Sequence, residues 1–273
     1  ANIREVDAIA HVLRCFEDSD ITHVEGKIDP LADADTVETE LMLADLESLE
    51  KREDGLRKKA AAKDKEALAE LELVELALAE LREGRPARKA AIPENRARDW
   101  KNLQLITSKP VIYVCNVEED SAESGNSLSA KVAEKAATEN AEAVVISARI
   151  EEELAQLDDA ERLEYLETLG LEEPGLNRLI RQGYQLLDLI TYFTAGPKES
   201  RAWTVKRGTA APQAAGVIHT DFERGFIKAE TIAYGDYTTL NGEAGARDAG
   251  RLRQEGKDYI VEDGDVMLFR FNV

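Results

Sequence analysis

Cysteine is nearly absent: only Cys15 and Cys115 occur in 273 residues, each inside an apolar strand-like run. Two such thiols give no disulfide framework. They fit packing positions in a reducing compartment, so a cytoplasmic location is expected. Histidine is equally scarce. His11, His23 and His219 are scattered and have no metal-ligand spacing. His11 reads as a core or edge histidine of a strand, His219 as either a structural residue or an RNA contact, and no Ser-His-Asp or Cys-His cluster emerges. Proline and glycine, at 7 and 17 residues, are too few for collagen-like or low-complexity sequence. Long apolar runs are missing as well. The longest, such as Val111–Cys115 and Ala143–Ile146, fall far short of a membrane span, and the opening residues carry no signal-peptide pattern. The first residue is not methionine and an apolar strand follows within eight residues, which reads as an internal position of a longer protein.

What the chain does have is negative charge, a net −20, unevenly spread. Residues 191–273 carry 11 Lys and Arg against 12 Asp and Glu, so nearly all of the excess lies in residues 1–190. An acidic body repels phosphates over any broad face, which argues against DNA wrapping. It leaves room for local basic patches.

Ala8–Phe16 reads as a mostly buried strand, followed by a polar loop through Asp29-Pro30. Asp35-Thr36-Val37-Glu38 has the pattern of a helix N-cap with an acid three positions on. Met42, Leu46, Leu49 and Leu56, then Ala67, Leu71, Val74, Leu78 and Leu81, form heptad stripes on two helices. Their arms should run roughly 25–35 Å at about 1.5 Å per residue. The stretch from Arg57 to Lys65 is the expected hairpin tip, and Gly84-Arg85-Pro86 stops the second arm. Helix is predicted over Trp100–Thr107, Leu128–Asn140, Glu151–Gly170 and Leu176–Leu189. Short buried strands are predicted at Val111–Cys115 and Glu142–Ile146. Strands separated by a helix imply a parallel sheet. After Thr191 the strands shorten and turns multiply. Strands are expected at Ala202–Val205, Phe226–Ala233 and Val266–Phe271, a helix at Gln213–His219, and a tight turn at Asp263-Gly264-Asp265.

The chemistry concentrates at two strand ends. Asn116-Val117-Glu118-Glu119 follows one strand, and Ser147-Ala148-Arg149 follows the next, 31 residues later. Ligands of open parallel α/β sheets bind at the carboxyl ends of strands, so two such motifs can line one pocket. This arrangement resembles the base-recognition half of a translation-factor-class GTPase, in which Asn-Lys-x-Asp and Ser-Ala motifs hold guanine. Here Val117 stands in place of the lysine and Glu119 in place of the aspartate. With Arg14-Cys15-Phe16-Glu17, the run from Val217 to Phe226, and Gly256-Lys257-Asp258-Tyr259-Ile260-Val261, the whole chain resembles the YchF (Obg-like ATPase) family.

The resemblance implies an α/β P-loop NTPase core with a partial parallel sheet (1–33 and 94–190). It further implies an inserted antiparallel α-helical coiled-coil hairpin (34–93) and a C-terminal α+β β-grasp (TGS) domain (191–273). It implies a monomer that binds and hydrolyses ATP with Mg²⁺ and associates with the ribosome. GTP binding, or a non-enzymatic RNA adaptor switched by nucleotide, are the alternatives. Asn116 would read the adenine edge, since an amide matches an amine beside a ring nitrogen. Glu119, one methylene longer than aspartate, would be misplaced for the two donors of guanine. Val117 would touch the base partly through its backbone, with Ser147 and Ala148 opposite. Phe16 would either pack against adenine or belong to the core.

No GxxxxGK[ST] loop occurs in these residues, so phosphate and Mg²⁺ contacts, and any catalytic residue, are expected upstream of Ala1. Without them the chain should bind nucleotide weakly and not hydrolyse it. Arg57, Lys58, Lys59, Lys63 and Lys65 form a basic cluster that is either a solvated helix connection or a finger for ribosomal RNA.

Overall fold

The computed structural model describes residues 2–18, 28–196 and 199–272, so His23 lies outside the described residues. The chain divides into two compact units after Gly183.

In the first unit, β1 (Ile9–Arg14) precedes two helices, α1 (Pro30–Ala61) and α2 (Lys65–Arg82). Then follow α3 (Ala97–Asn102), β2 (Val111–Asn116), α4 (Ser127–Glu139), β3 (Glu142–Ile146), α5 (Ala148–Leu154), α6 (Asp159–Thr168) and α7 (Gly175–Leu186). The strands form a three-stranded parallel sheet in the order β1-β2-β3. Leu13, Tyr113, Cys115, Val117 and Val132 are buried together between the sheet and its helices. Cys15 and Cys115 are both buried free thiols.

The helices depart from expectation at their ends. α1 starts at Pro30, capped by Asp29, whose side chain accepts from the Ala32 amide. Asp-Pro is therefore an N-cap and first helical residue, positions both residue types favour, and not a loop running on to Asp35. The 32 residues of α1 span about 48 Å, longer than the arm expected. α1 also runs on through Ala61, so the turn is only Ala62–Asp64, and Asp64 caps α2 by accepting from Glu66 and Ala67. Of the heptad positions, Leu49, Leu56, Ala67, Leu71, Val74, Leu78 and Leu81 are buried in one cluster, and Met42 and Leu46 pack against it partly buried. Leu73 and Ala77 join them beside Trp100 and Leu103, so the buried face of α2 is wider than one stripe. Helix does not run from Trp100 to Thr107: α3 ends at Asn102, and Gln104 has a positive φ of 53°. The acidic stretch from Glu151 to Gly170 is two helices, because Asp158 caps a new one in a capping box with Glu161. α7 stops at Leu186, and Leu189 already begins a strand.

The second unit contains β4 (Leu189–Ala195), β5 (Ser200–Lys206), α8 (Ala211–Ile218), α9 (Thr220–Arg224) and β6 (Phe226–Ala233). α10 (Tyr234–Thr239), α11 (Glu243–Asp248), β7 (Arg253–Glu255) and β8 (Asp265–Phe271) complete it. The mixed sheet has the order β5-β4-β8-β6-β7. Ala211, Ala214 and Ala215 of α8 pack on Tyr192, Ala229, Met267 and Phe269. Small residues on the helix let it lie close to large ones on the sheet. Gly225 has a specific reason: a Cβ there would stand 1.9 Å from the Asn272 carbonyl oxygen, which closes β6 onto β8. His219 has a structural role, since its Nδ1 accepts from the Asp221 amide and caps α9.

Candidate functional site

Register brings three strand ends level. Arg14 pairs with Asn116, and Asn116 with Ile146. The residues just beyond those ends therefore meet at the carboxyl edge of the sheet, where parallel α/β folds bind ligands. There Phe16, Glu17, Asp18, Asn116, Val117, Glu118, Glu119, Ser147, Ala148, Arg149 and Glu152 line a cleft of about 410 Å³. That falls within the ~300–1,000 Å³ typical of small-molecule sites. All six residues singled out in the sequence, Phe16, Asn116, Val117, Glu119, Ser147 and Ala148, lie on this one cleft.

Asn116 ties two of the loops together: its Oδ1 accepts from the Ala148 amide at 2.9 Å. That bond orients the side chain, since only the oxygen can accept. Nδ2 then has no acceptor among the described residues. The Val117 amide is taken by the Ile146 carbonyl at 2.9 Å, and its side chain is buried in the sheet core. What Val117 can offer a ligand is its carbonyl oxygen.

Ser147 stands at the N-cap of α5 but makes no capping bond. Its residue is buried and its Oγ has no hydrogen-bond partner among the described residues. A buried hydroxyl without a partner costs free energy.

Phe16 is half-buried and belongs to none of the apolar clusters, so the core alternative does not hold for it. Arg14 lies 4.9 Å from its ring centroid and donates to the Phe16 and Asp18 carbonyls, which fixes the loop. In the sequence Arg14 stood out only as part of the run Arg14-Cys15-Phe16-Glu17, not as a residue of the site.

The two glutamates at the mouth are both held. Glu118 accepts from Asn126 Nδ2 and Ser121 Oγ. Burial works to raise its pKa, and these hydrogen bonds, with one from backbone, overcome it and leave the pKa lowered. Glu119 Oε1 is bound by Arg149 Nε at 2.8 Å. Its length relative to aspartate was legible in sequence, but this partner was not.

Among the described residues no group of three or more His, Cys, Asp or Glu converges to hold a metal. Nor is any helix among them long and apolar enough to cross a membrane.

The basic cluster on the hairpin is only partly brought together. Arg57 lies one turn before the end of α1 and is paired with Glu53 at 2.7 Å and Glu75 at 2.8 Å. Lys58, Lys59, Lys63 and Lys65 are exposed and pair with no acid among the described residues.

Comparison with known proteins gives the family. Over its whole length the chain is 56% identical to a protein of Haemophilus influenzae named ribosome-binding ATPase YchF, of which it covers 75%. It is 51% identical, with the same coverage, to the protein of that name from Bacillus subtilis. The chain belongs to the YchF family. A family model described as YchF-GTPase_C, protein of unknown function (DUF933), matches residues 189–272, the second unit. The solved structure of the Schizosaccharomyces pombe YchF GTPase superposes with a TM-score of 0.84 at 36% identity, covering 98% of this chain and 73% of that one. A GTP-binding protein of Pyrococcus horikoshii, 19% identical with a TM-score of 0.63, covering 99% of this chain and 80% of that one, shares the fold. The YchF match extends through the cleft, the hairpin and the second unit alike.

Proposed function

We propose that the cleft holds the adenine base of ATP, in a protein that hydrolyses ATP and associates with the ribosome. The observation that carries this is Asn116, its oxygen engaged by Ala148 and its Nδ2 left to donate, on the same cleft as Phe16 and the unpartnered Ser147 hydroxyl. Nδ2 donates to a purine ring nitrogen, the Val117 carbonyl accepts from the 6-amino group, and Phe16 backs one face. At that position guanine carries a carbonyl, which would oppose the Val117 oxygen. Such a mismatch costs about 1–3 kcal/mol. Glu17, Asp18, Glu118, Glu119 and Glu152 ring the cleft, so the base end of a nucleotide fits here and its phosphates do not. These 273 residues contain no GxxxxGK[ST] loop, and we assign phosphate and Mg²⁺ binding, and the catalytic group, to residues outside them.

Names of the relatives support ATP hydrolysis and ribosome binding. The GTP reading is favoured by the neighbours described as a GTPase and a GTP-binding protein. We read the hairpin as an inserted coiled coil and the second unit as a TGS-type β-grasp domain. Lys58, Lys59, Lys63 and Lys65 supply the rRNA contact, without Arg57. Two measurements test this. In competition for the full-length protein, ATP should displace a fluorescent nucleotide at lower concentration than GTP. The reverse order would refute the adenine assignment. Ribosome pelleting should weaken, and lose salt dependence, when the four lysines become alanine. Unchanged binding would remove the finger.

A further inference from the structure

We infer that Arg149 sets the base specificity of the cleft by holding Glu119 away from guanine; this rests on the cleft being the base site. Guanine presents two adjacent donors, a ring N–H and an exocyclic amine, and a carboxylate grips them only with both oxygens. Glu119 has a carboxylate at the mouth of the cleft, so its extra methylene alone does not disqualify it. What it lacks is freedom. Its Oε1 is bound by Arg149 Nε at 2.8 Å.

The pairing is a choice made by the fold. Arg149 lies early in α5, with Glu152 and Glu153 three and four residues on, the spacings at which helical ion pairs form. It reaches across to Glu119 on the loop after β2 instead. Glu153 is engaged by the Tyr165 hydroxyl. Glu118, the other acid beside Val117, is held by Ser121 and Asn126. No carboxylate of the Asn116–Glu119 loop is therefore left with both oxygens open. Adenine asks nothing of Glu119, because its recognition falls to Asn116 and Val117. Arg149 thus raises the cost of guanine while leaving the adenine contacts in place.

A double-mutant cycle on the full-length protein tests this, with dissociation constants for GTP and ATP measured for each variant. Arg149→Ala should raise GTP affinity relative to ATP by about three- to fivefold, the weight of one partly exposed ion pair. In a Glu119→Gln background, where no carboxylate can be released, Arg149→Ala should leave the GTP to ATP ratio where Glu119→Gln alone puts it. Asn116→Ala serves as the independent control. If it weakens ATP but Arg149→Ala leaves the ratio unchanged or lowers GTP, the inference about Arg149 is overturned and the base site stands. If Asn116→Ala leaves both nucleotides unaffected, the base site itself fails. Equal ratio changes in the wild-type and Glu119→Gln backgrounds would also overturn it, since Arg149 would then act without Glu119.

Discussion

Among the described residues the first unit holds its apolar side chains in three clusters, one along the hairpin, one under the parallel sheet and one beneath α5 and α6. The second unit holds its own in a single cluster between α8 and the mixed sheet. The difference shows in where buried polar groups sit. In the first unit they join separate parts. Asp45 of α1 is fully buried and accepts from the Ile106 and Thr107 amides, Thr107 Oγ1 and Arg4. Glu139 of α4 meets Lys135, Arg88 and the Tyr113 hydroxyl, and Arg88 also binds Glu38 of α1. In the second unit the buried Asp265 accepts from Tyr259, Arg253 and the Glu262 amide, which only closes a loop onto its own sheet. A unit assembled from several small cores depends on its polar joints. A unit with one core depends on its apolar contacts.

The largest effect that should separate the two is Asp45→Ala. It strands two buried amides and a hydroxyl and takes the carboxylate from Arg4, and should cost about 3–5 kcal/mol. Hydrogen exchange should report that loss in residues 2–183 and leave the core of 184–273 protected. Equal loss in both would break the comparison. Next comes Tyr192→Phe in the second unit. Its hydroxyl donates to the Ala214 carbonyl at 2.8 Å from a fully buried position. Losing that bond should lower stability by about 1–2 kcal/mol, seen as faster exchange in β4 and α8 alone.

The smallest effect is in pH. Burial lowers the pKa of His11, partly offset by Glu38 and Asp33. The unfolded chain then binds the proton more readily than the folded one. The contribution is present above about pH 6.5, the ordinary histidine value, and is lost as pH falls below it. Thermal unfolding of the first unit should therefore weaken on acidification, less so in His11→Asn. The second unit, whose core contains no histidine, should not follow it over that range.

Sequence revealed the parts of each unit that are regular. The apolar runs of β1, β2, β3, β6 and β8 and the heptads of α1 and α2 are local patterns, and they were legible. The limits of α1 were not, because Asp29-Pro30 reads equally well as a loop or as a cap. The gap between α5 and α6 was hidden because Ala155–Asp158 contains neither glycine nor proline. β7, α10 and α11 are short and left no periodic signal, and the start of β4 was hidden because the apolar residues of α7 run almost directly into it. The same holds at the cleft. Asn116 and Ser147 could be placed from motif spacing, since strand ends in a parallel sheet align. The Asn116–Ala148 bond, the Glu119–Arg149 pair and the capture of Arg57 by Glu75 join residues 18 to 32 positions apart, so they exist only once the backbone has folded.

A purine should sit among the three strand ends of the first unit. Photo-crosslinking with 8-azido-ATP, followed by mass spectrometry of the labelled peptides, asks that question directly. Label on residues 16–18, 116–119 or 147–149, competed away by ATP, is the predicted result. Specific label confined to the second unit or to the hairpin would contradict it.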